Sequence, residues 1–476
     1  MTDAHVLDRL REIVGPERVK ASAADRELYA YDGTPLLHQT PLCAVAPADA
    51  EAVGRILEAA NADGFGVVPR GAGTGLSGAA VPFSPDEGDG RPCVVLLFPH
   101  WNRIEEIDEE NLTAWVQPGV VTQKLHEAVE ARGLFYPPDP GSQRICTLGG
   151  NVAMNSGGLR GLKYGVTGDY VMGIEGFLPT GEAFTTGGKN VKDVAGYDLK
   201  RLLVGSEGTL GVFTRLLLKL LPRPAASRTL LASYSRAVDA AATVRAIIAE
   251  KIIPATLEFV DRTTIHCVES YAHVGLPLDA ESLLLMETDG HPAQVADEAE
   301  AMARIAKAHG ATTVEVATSE ADAERLKTAR RMAFSALARL KPTTVLEDVT
   351  VPRSELPGMV EEVGRIAHRH GLLVGTFGHA GDGNLHPTIL CDERDAEEMI
   401  RVHRALDDLF EAAVARGGTI TGEHGVGIAK RPFFARLTSP GSLELTRRVR
   451  RAVDPNGILN PGKMLLPSVP SESLLV

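Results

Sequence analysis

The chain has 476 residues, a formal net charge of −13, 44% apolar and 23% charged residues, which is the composition of a globular protein of two or three domains with a sizeable core. An acidic balance with no Lys/Arg-rich block excludes nucleic acid and an anionic membrane surface as partners, and no apolar run is long enough to span a bilayer. Cys43, Cys93, Cys146, Cys267 and Cys391 are scattered and lack Cys-x-x-Cys spacing, which excludes a disulfide framework or an iron–sulfur cluster on this chain and fits a reducing cytoplasm.

Residues 1–15 read as an amphipathic helix without the apolar core of a signal peptide. A second helix is predicted from Asp49 to about Ala62, with Val53, Ile56, Leu57 and Ala60 at helical spacing and Gly64 as its stop. The strand Val67-Val68-Pro69 then runs into a loop, Arg70-Gly71-Ala72-Gly73-Thr74-Gly75-Leu76-Ser77-Gly78. Gly73-x-Gly75-x-x-Gly78 matches the dinucleotide pattern in its letters, but a Rossmann turn has to open a helix, and Pro82 and Pro85 leave no room for one. The Walker lysine is also missing. What remains is a run of backbone N–H groups flanked by Arg70, with the hydroxyls of Thr74 and Ser77, a nest suited to a pyrophosphate.

Strands are predicted at 93–98 and 114–117. Residues 136–211 are dense in Gly, Asn, Ser and Thr, and that much loop usually serves a ligand. The block contains Pro138-Asp139, Thr147, Gly149-Gly150-Asn151, Ser156-Gly157-Gly158, Tyr164-Gly165, Glu207, Thr209 and Gly211. Small residues there let backbone touch a large planar ligand, so the residues alone imply a dinucleotide-sized ligand held by loops. The Pro-flanked stretch 220–224 marks a domain boundary. Beyond it, helices at 235–250, 292–309, 320–340, 356–370 and 396–416 and a strand at 282–286 imply an antiparallel or mixed sheet backed by helices. Asp454 to Lys463 is a turn-rich tail that includes Asn460.

Two Gly-flanked segments concentrate the chemistry. In Gly378-His379-Ala380-Gly381-Asp382-Gly383-Asn384-Leu385-His386, Asp382-Gly383 is a turn signal between apolar stretches, which predicts a hairpin with His379 opposite His386. Residues so opposed have Cβ atoms about 4.5–5.5 Å apart, close enough for two imidazoles to share a divalent ion. In Gly422-Glu423-His424-Gly425, neighbours on an extended chain point opposite ways, so one of Glu423 and His424 completes the site and the other is free to move a proton. Asp348 and Asn384 read as supporting or turn residues.

Taken in order, these motifs resemble the FAD-linked oxidases of the vanillyl-alcohol oxidase (p-cresol methylhydroxylase, PCMH) type. Residues 69–78, 147–158, 205–211 and Lys192-Asp193-Val194-Ala195-Gly196-Tyr197-Asp198-Leu199 are similar to the FAD-contacting segments of that family. His379-x-Gly-Asp-Gly-Asn-x-His386, Gly422-Glu423-His424-Gly425 and Asn460-Pro461-Gly462-Lys463 resemble its 2-hydroxy-acid branch, which holds D-lactate and D-2-hydroxyglutarate dehydrogenases and the flavin subunit of bacterial glycolate oxidase. The resemblance implies an α+β protein: a PCMH-type FAD-binding domain of two α+β subdomains over 1–224, an α+β cap over 225–420, and a segment over 421–476 that returns to the flavin. It implies FAD, non-covalent because residues 70–78 contain no histidine, and zinc or manganese on His379, His386 and Glu423. It implies His424 as the base and Arg330 as the clamp on the substrate carboxylate. Leu326 and Phe334, four residues to either side, also suit Arg330 to lie along an apolar surface.

The function implied is oxidation of a small D-2-hydroxy acid, glycolate or D-lactate, with electrons leaving to a quinone, a cytochrome or an iron–sulfur subunit on another chain. The expected place is the cytoplasm, or the periphery of the inner membrane through a partner. Relatives commonly carry Trp three residues before the clamping Arg; Lys327 stands there and leaves the substrate open. A non-catalytic flavin relay subunit, a metallohydrolase, an ether-lipid synthase and a D-2-hydroxyglutarate dehydrogenase remain as alternatives.

Overall fold

Asp49 accepts the N–H of Ala52 at 2.8 Å and starts the helix Ala50–Asp63, which ends where Gly64 turns left-handed at φ 70°. This local signal was complete in the sequence. The computed structural model describes residues 2–82 and 91–466; Met1, Pro85 and the last ten residues of the expected C-terminal segment lie outside them. The first helix is Asp3–Val14.

Three larger sheets follow one another along the chain. The first, in the order Val19–Lys20, Cys43–Val45, Cys93–Leu97, Gly66–Arg70, is parallel apart from its first pair. The second is antiparallel, in the order Ile104–Asp108, Thr113–Val116, Val212–Lys219, Val171–Phe177, Ala183–Gly187. Three of its strands fall in or just after the stretch that composition marked as loop. Val171–Phe177 pairs with Val212–Lys219, whose residues alternate little and are mostly buried, and Ala183–Gly187 pairs in turn with Val171–Phe177, which makes strands of segments that glycine content argues against. Helix Leu148–Met154 also forms inside that stretch.

The third sheet runs Ala311–Val316, Ala226–Tyr234, Ser282–Gly290, Thr256–Asp261, Leu373–Gly378, Asn384–Cys391, Thr343–Leu346, with every adjacent pair antiparallel. The short strand Val349–Thr350 pairs with Asn384–Cys391. Helices Ala237–Ala249, Pro292–Ala308, Leu356–His370 and Ala396–Ala415 bury apolar residues against it, in one core with Leu257, Phe259, Leu284 and Ile389. The helix expected over 320–340 is interrupted at Met332, into Glu320–Arg331 and Ala333–Leu337. Helices Arg262–Ala272, Glu320–Arg331 and Ala333–Leu337 cover the other face of this sheet, in a core with Leu231, Val260, Leu283 and Leu390. Largely antiparallel sheets backed by helices make the fold α+β, as expected.

The tail folds back onto the first sheet. Leu459 forms a parallel bridge with Val67, and Asn460 Nδ2 donates to the carbonyls of Ala79 and Glu207 at 2.9 and 2.7 Å. No helix among the described residues is long and apolar enough to cross a membrane, and all five cysteines are buried thiols.

Candidate active site

A cavity of about 860 Å³ lies between the first two sheets and the third, within the range of about 300–1,000 Å³ typical of ligand pockets. One end is the glycine loop. Gly66–Arg70 ends in it, and the described residues that follow, 71–82, form no helix, as Pro82 required. Gly73 sits at φ 71°, and a Cβ there would stand 2.1 Å from Arg70 Nη2. Arg70 is held by the carbonyls of Tyr31 and Ala80 at 2.7 and 3.3 Å.

Of the residues singled out for cofactor binding, Arg70, Gly71, Gly73, Thr74, Gly75, Leu76, Thr147, Gly149, Gly150, Asn151, Ser156, Glu207 and Gly211 line the cavity. The Thr147 hydroxyl is buried on this wall with no hydrogen-bond partner, an open polar atom that suits a polar ligand. The others stand behind the wall. The Ser77 carbonyl accepts from Ile428 and Ala429 N–H at 2.9 and 3.1 Å. The Pro138 carbonyl meets His126 Nε2 at 2.9 Å, and Asp139 accepts the N–H of Arg160 at 3.2 Å. A Cβ on Gly158 would strike the Asp139 carbonyl at 2.5 Å, and one on Gly157 would strike Glu423 Oε2 at 2.6 Å, so both glycines make room for a neighbour. The Tyr164 hydroxyl donates to Asp289 at 2.8 Å, Gly165 turns at φ 79°, and Thr209 donates to the Ser206 carbonyl at 2.7 Å. The segment Lys192 to Leu199, expected against FAD, is instead on the outer surface, with Val194 and Tyr197 97% and 92% exposed. Glu207 does more than line the cavity: its two oxygens accept the N–H groups of Val426 and Gly427 at 2.7 Å each and pin the C-terminal chain to the wall.

The other end of the cavity is lined by Arg330, His379, His386, Glu423 and His424. The hairpin register differs from expectation. Phe377, not His379, is opposite His386, and a 3-10 turn, Ala380–Asp382, replaces the two-residue loop. The His379 carbonyl takes the N–H groups of Asp382 and Asn384, and Gly383 supplies the left-handed step at φ 76°. The two rings still meet, with centroids 5.3 Å apart. Glu423 and His424 do not diverge either. The chain bends at 422–425, and Glu423 Oε1 lies 3.1, 3.4 and 4.0 Å from Nε2 of His379, His386 and His424. His424 stacks on His386 at 5.0 Å.

The cause of the bend is Asp348, which is fully buried. Its Oδ2 accepts from the Thr421 hydroxyl and from the N–H groups of Gly422, Glu423 and His424, and its Oδ1 accepts from Asn384 at 2.6 Å. Burial works against its charge, but the His424 ring, Lys430 and the His386 ring outweigh that and hold its carboxyl below the usual range.

Sequence reasoning missed Glu258, a fully buried carboxylate whose Oε1 is 2.7 Å from His379 Nδ1 and whose Oε2 accepts Arg330 Nε at 2.6 Å. A lone acid among apolar residues in Thr256-Leu-Glu-Phe-Val260 was the available signal. Arg330 is 7% exposed, with its guanidinium 4.6 Å from the Phe377 ring centroid, so it is not a surface arginine. Lys327 pairs with Glu287 and does not line the cavity.

The donors suit a cation. Ligand atoms of His379, His386 and Glu423 all lie within 4.8 Å of one another. A tetrahedral ion with bonds of about 2.1 Å spaces its ligands about 3.4 Å apart. Burial opposes the His379 cation, yet Glu258 and Glu423 raise its pKa well above the usual value; burial likewise opposes the Glu423 anion, yet His379 and His386 bring it well below. Positive charge is therefore favoured between them. Burial pushes His424 down to about 4 against the pull of Asp348, so its ring is neutral at pH 7 and can accept a proton.

Residues 41–187 match the FAD binding domain, and residues 223–464 match the C-terminal domain of FAD linked oxidases. The chain is 51% identical over 464 residues to the glycolate oxidase subunit GlcD of Bacillus subtilis (strain 168), covering 98% of this chain and 97% of that one. It is 35% identical over 447 residues to a D-lactate dehydrogenase of Archaeoglobus fulgidus, covering 92% and 96%. The crystal structure of p-cresol methylhydroxylase with substrate bound shares the fold, with a TM-score of 0.78 at 17% identity over 97% of this chain and 96% of that one.

Proposed function

This chain belongs to the FAD-linked oxidases, and we propose that it is the dehydrogenase of a short D-2-hydroxy acid, glycolate or D-lactate, forming the 2-oxo acid. The observation that supports this most is the meeting, in one cavity, of the glycine loop with Arg330, His379, His386, Glu423 and His424. A relay subunit without chemistry of its own has no use for that second set.

FAD, bound non-covalently, supplies the hydride acceptor, and zinc or manganese held by His379, His386 and Glu423 supplies Lewis acidity at the substrate oxygens. The chain's own groups do the rest. Arg330, held at Nε by Glu258, has its terminal N–H groups left for the substrate carboxylate. His424, neutral and stacked on His386, takes the hydroxyl proton at Nε2. Phe334, Leu346 and Phe377 line the same end and exclude water. In this reading the units are 1–224 for FAD, 225–420 for the cap and 421–476 for the returning segment. Electrons leave to a quinone, a cytochrome or an iron–sulfur subunit on another chain, in the cytoplasm, and any hold on the inner membrane is the partner's.

The test is an anaerobic titration of the metal-replete protein with glycolate, D-lactate, L-lactate and D-2-hydroxyglutarate. Bleaching of the flavin band by glycolate or D-lactate is expected. Bleaching by D-2-hydroxyglutarate alone moves the chain to that dehydrogenase activity, and bleaching by none overturns the proposal. In the same assay His424→Ala keeps its FAD and is reduced about 100- to 10,000-fold more slowly.

A further inference from the structure

We infer that Glu258 is a positioning residue that ties the substrate clamp to the metal site, so that one carboxylate sets both which nitrogen of His379 faces the ion and how Arg330 faces the substrate. The inference rests on the reaction proposed above, because it assigns Glu258 a task at the groups that reaction uses.

Glu258 lies on Thr256–Asp261, the strand next to Leu373–Gly378, which leads directly into His379. Its neighbours Leu257 and Phe259 point into the apolar core, and Glu258 points the other way. The carboxylate has no solvent exposure, and a buried charge persists only when paired. Both oxygens are spent at the site: Oε1 at 2.7 Å from His379 Nδ1, Oε2 at 2.6 Å from Arg330 Nε.

Each contact removes a freedom that the chemistry cannot tolerate. A carboxylate facing Nδ1 accepts a hydrogen bond from Nδ1–H and keeps the proton on that nitrogen, which leaves the lone pair of His379 on Nε2, the atom 3.1 Å from Glu423 Oε1. With Nε engaged by Glu258 and the guanidinium against Phe377, the Arg330 fork is fixed in rotation and presents its terminal N–H edge to the cavity. Because the two contacts share one charge, they are linked. With a cation held at His379 Nε2, the Nδ1–H would bind Glu258 more tightly, and Glu258 would hold Arg330 less tightly and leave more of the arginine's charge for an incoming carboxylate. Linkage makes the effect reciprocal.

Glu258→Gln tests this well, because an amide has one acceptor. Either its NH2 faces His379 Nδ1 and forces the proton onto Nε2, or it faces the Arg330 N–H. The experiment uses FAD-loaded protein and two binding readouts that need no turnover: zinc affinity, from competition with a chromophoric chelator, and propionate affinity, from perturbation of the flavin spectrum, with and without zinc. Glu287→Gln, which removes a buried carboxylate beside Lys327 on the adjacent strand, is the control. The expected result is wild-type FAD content in E258Q, with zinc binding about 10- to 100-fold weaker and propionate binding at least about tenfold weaker, while the control changes neither. Zinc and propionate both at wild-type affinity overturn the inference. Loss of one alone overturns the claim that a single carboxylate serves both. If E258Q does not fold, Glu258→Asp keeps the charge but is too short to reach both partners, and wild-type affinities for both ligands in that variant are equally fatal. A wild-type protein that binds no divalent ion overturns the proposed function, and this inference with it; one that binds zinc and is bleached by a hydroxy acid while E258Q behaves like wild type overturns the inference alone.

Discussion

The backbone N–H of His424 donates to Asp348 Oδ2 at 2.9 Å, and the same oxygen takes Gly422 and Glu423 N–H at 2.8 and 3.0 Å and the Thr421 hydroxyl at 2.6 Å. One carboxylate thus shapes the turn that delivers both Glu423 and His424. Hydrogen bonds to a charged acceptor contribute about 1.5–3 kcal/mol each. Asp348→Asn weakens all of them and sets an amide N–H against Asn384. We expect it to keep FAD, lose bound metal and reduce its flavin at least about tenfold more slowly. Rapid-mixing absorbance and metal analysis check this, and wild-type values in both remove Asp348 from the role.

Gly73 is required twice over, by its φ of 71° and by the 2.1 Å approach of a Cβ to Arg70 Nη2. Arg70 cannot swing aside without giving up the Tyr31 and Ala80 carbonyls. Gly73→Ala is expected to purify with less than about half the FAD of wild type, since a left-handed non-glycine residue costs about 1–3 kcal/mol before the clash. Gly364→Ala, in helix Leu356–His370 with open space around its Cβ, is expected to keep full FAD. Equal flavin content in the two variants contradicts the assignment of the loop.

Arg330→Ala removes a charged pair of hydrogen-bond donors from the substrate end. The expected outcome is a KM raised about 10- to 100-fold, with a smaller change in kcat. Steady-state rates with an artificial acceptor measure it, and an unchanged KM rules out the clamp. The variant also strands the Glu258 charge in the interior, so a lower melting temperature accompanies the kinetic change.

Lys463 is fully buried, and burial pushes its ammonium from 10.5 down to about 7. A base whose pKa is lower folded than unfolded leaves the unfolded chain with more bound protons between those two values, so stability rises with pH across that interval. The penalty is complete below about pH 7 and gone above about pH 10.5. Its ceiling is roughly 3–5 kcal/mol. Lys463→Met should therefore be more stabilising at pH 6 than at pH 9.5, read as the difference in melting temperature from wild type at each pH. A difference that does not change with pH shows that the buried lysine stays charged.

The sequence by itself determined whatever depends on neighbours a few residues apart. Asp49 and Gly64 bracket a helix because caps and stops act within one turn. Residues 70–78 stay a loop because Pro82 arrives before a helix can form, and the His379, His386, Glu423 and His424 motifs announce a polar cluster by residue type and spacing alone. Only the tertiary structure decided how those groups face one another. Glu258 reaches His379 across 121 residues and Arg330 across 72, through strand pairing that no local pattern encodes. The turn at 422–425 bends because a carboxylate 76 positions before His424 collects its N–H groups, so Glu423 and His424 converge where an extended chain would separate them. The Gly-rich strands 171–177 and 183–187 form because Val212–Lys219 pairs with the first and the first with the second, and the resembling segment 192–199 is left outside that sheet. Propensity is a matter of tenths of a kcal/mol to about one per residue; burial and hydrogen bonding of a whole strand or of a buried charge exceed it, and both are settled by distant parts of the chain.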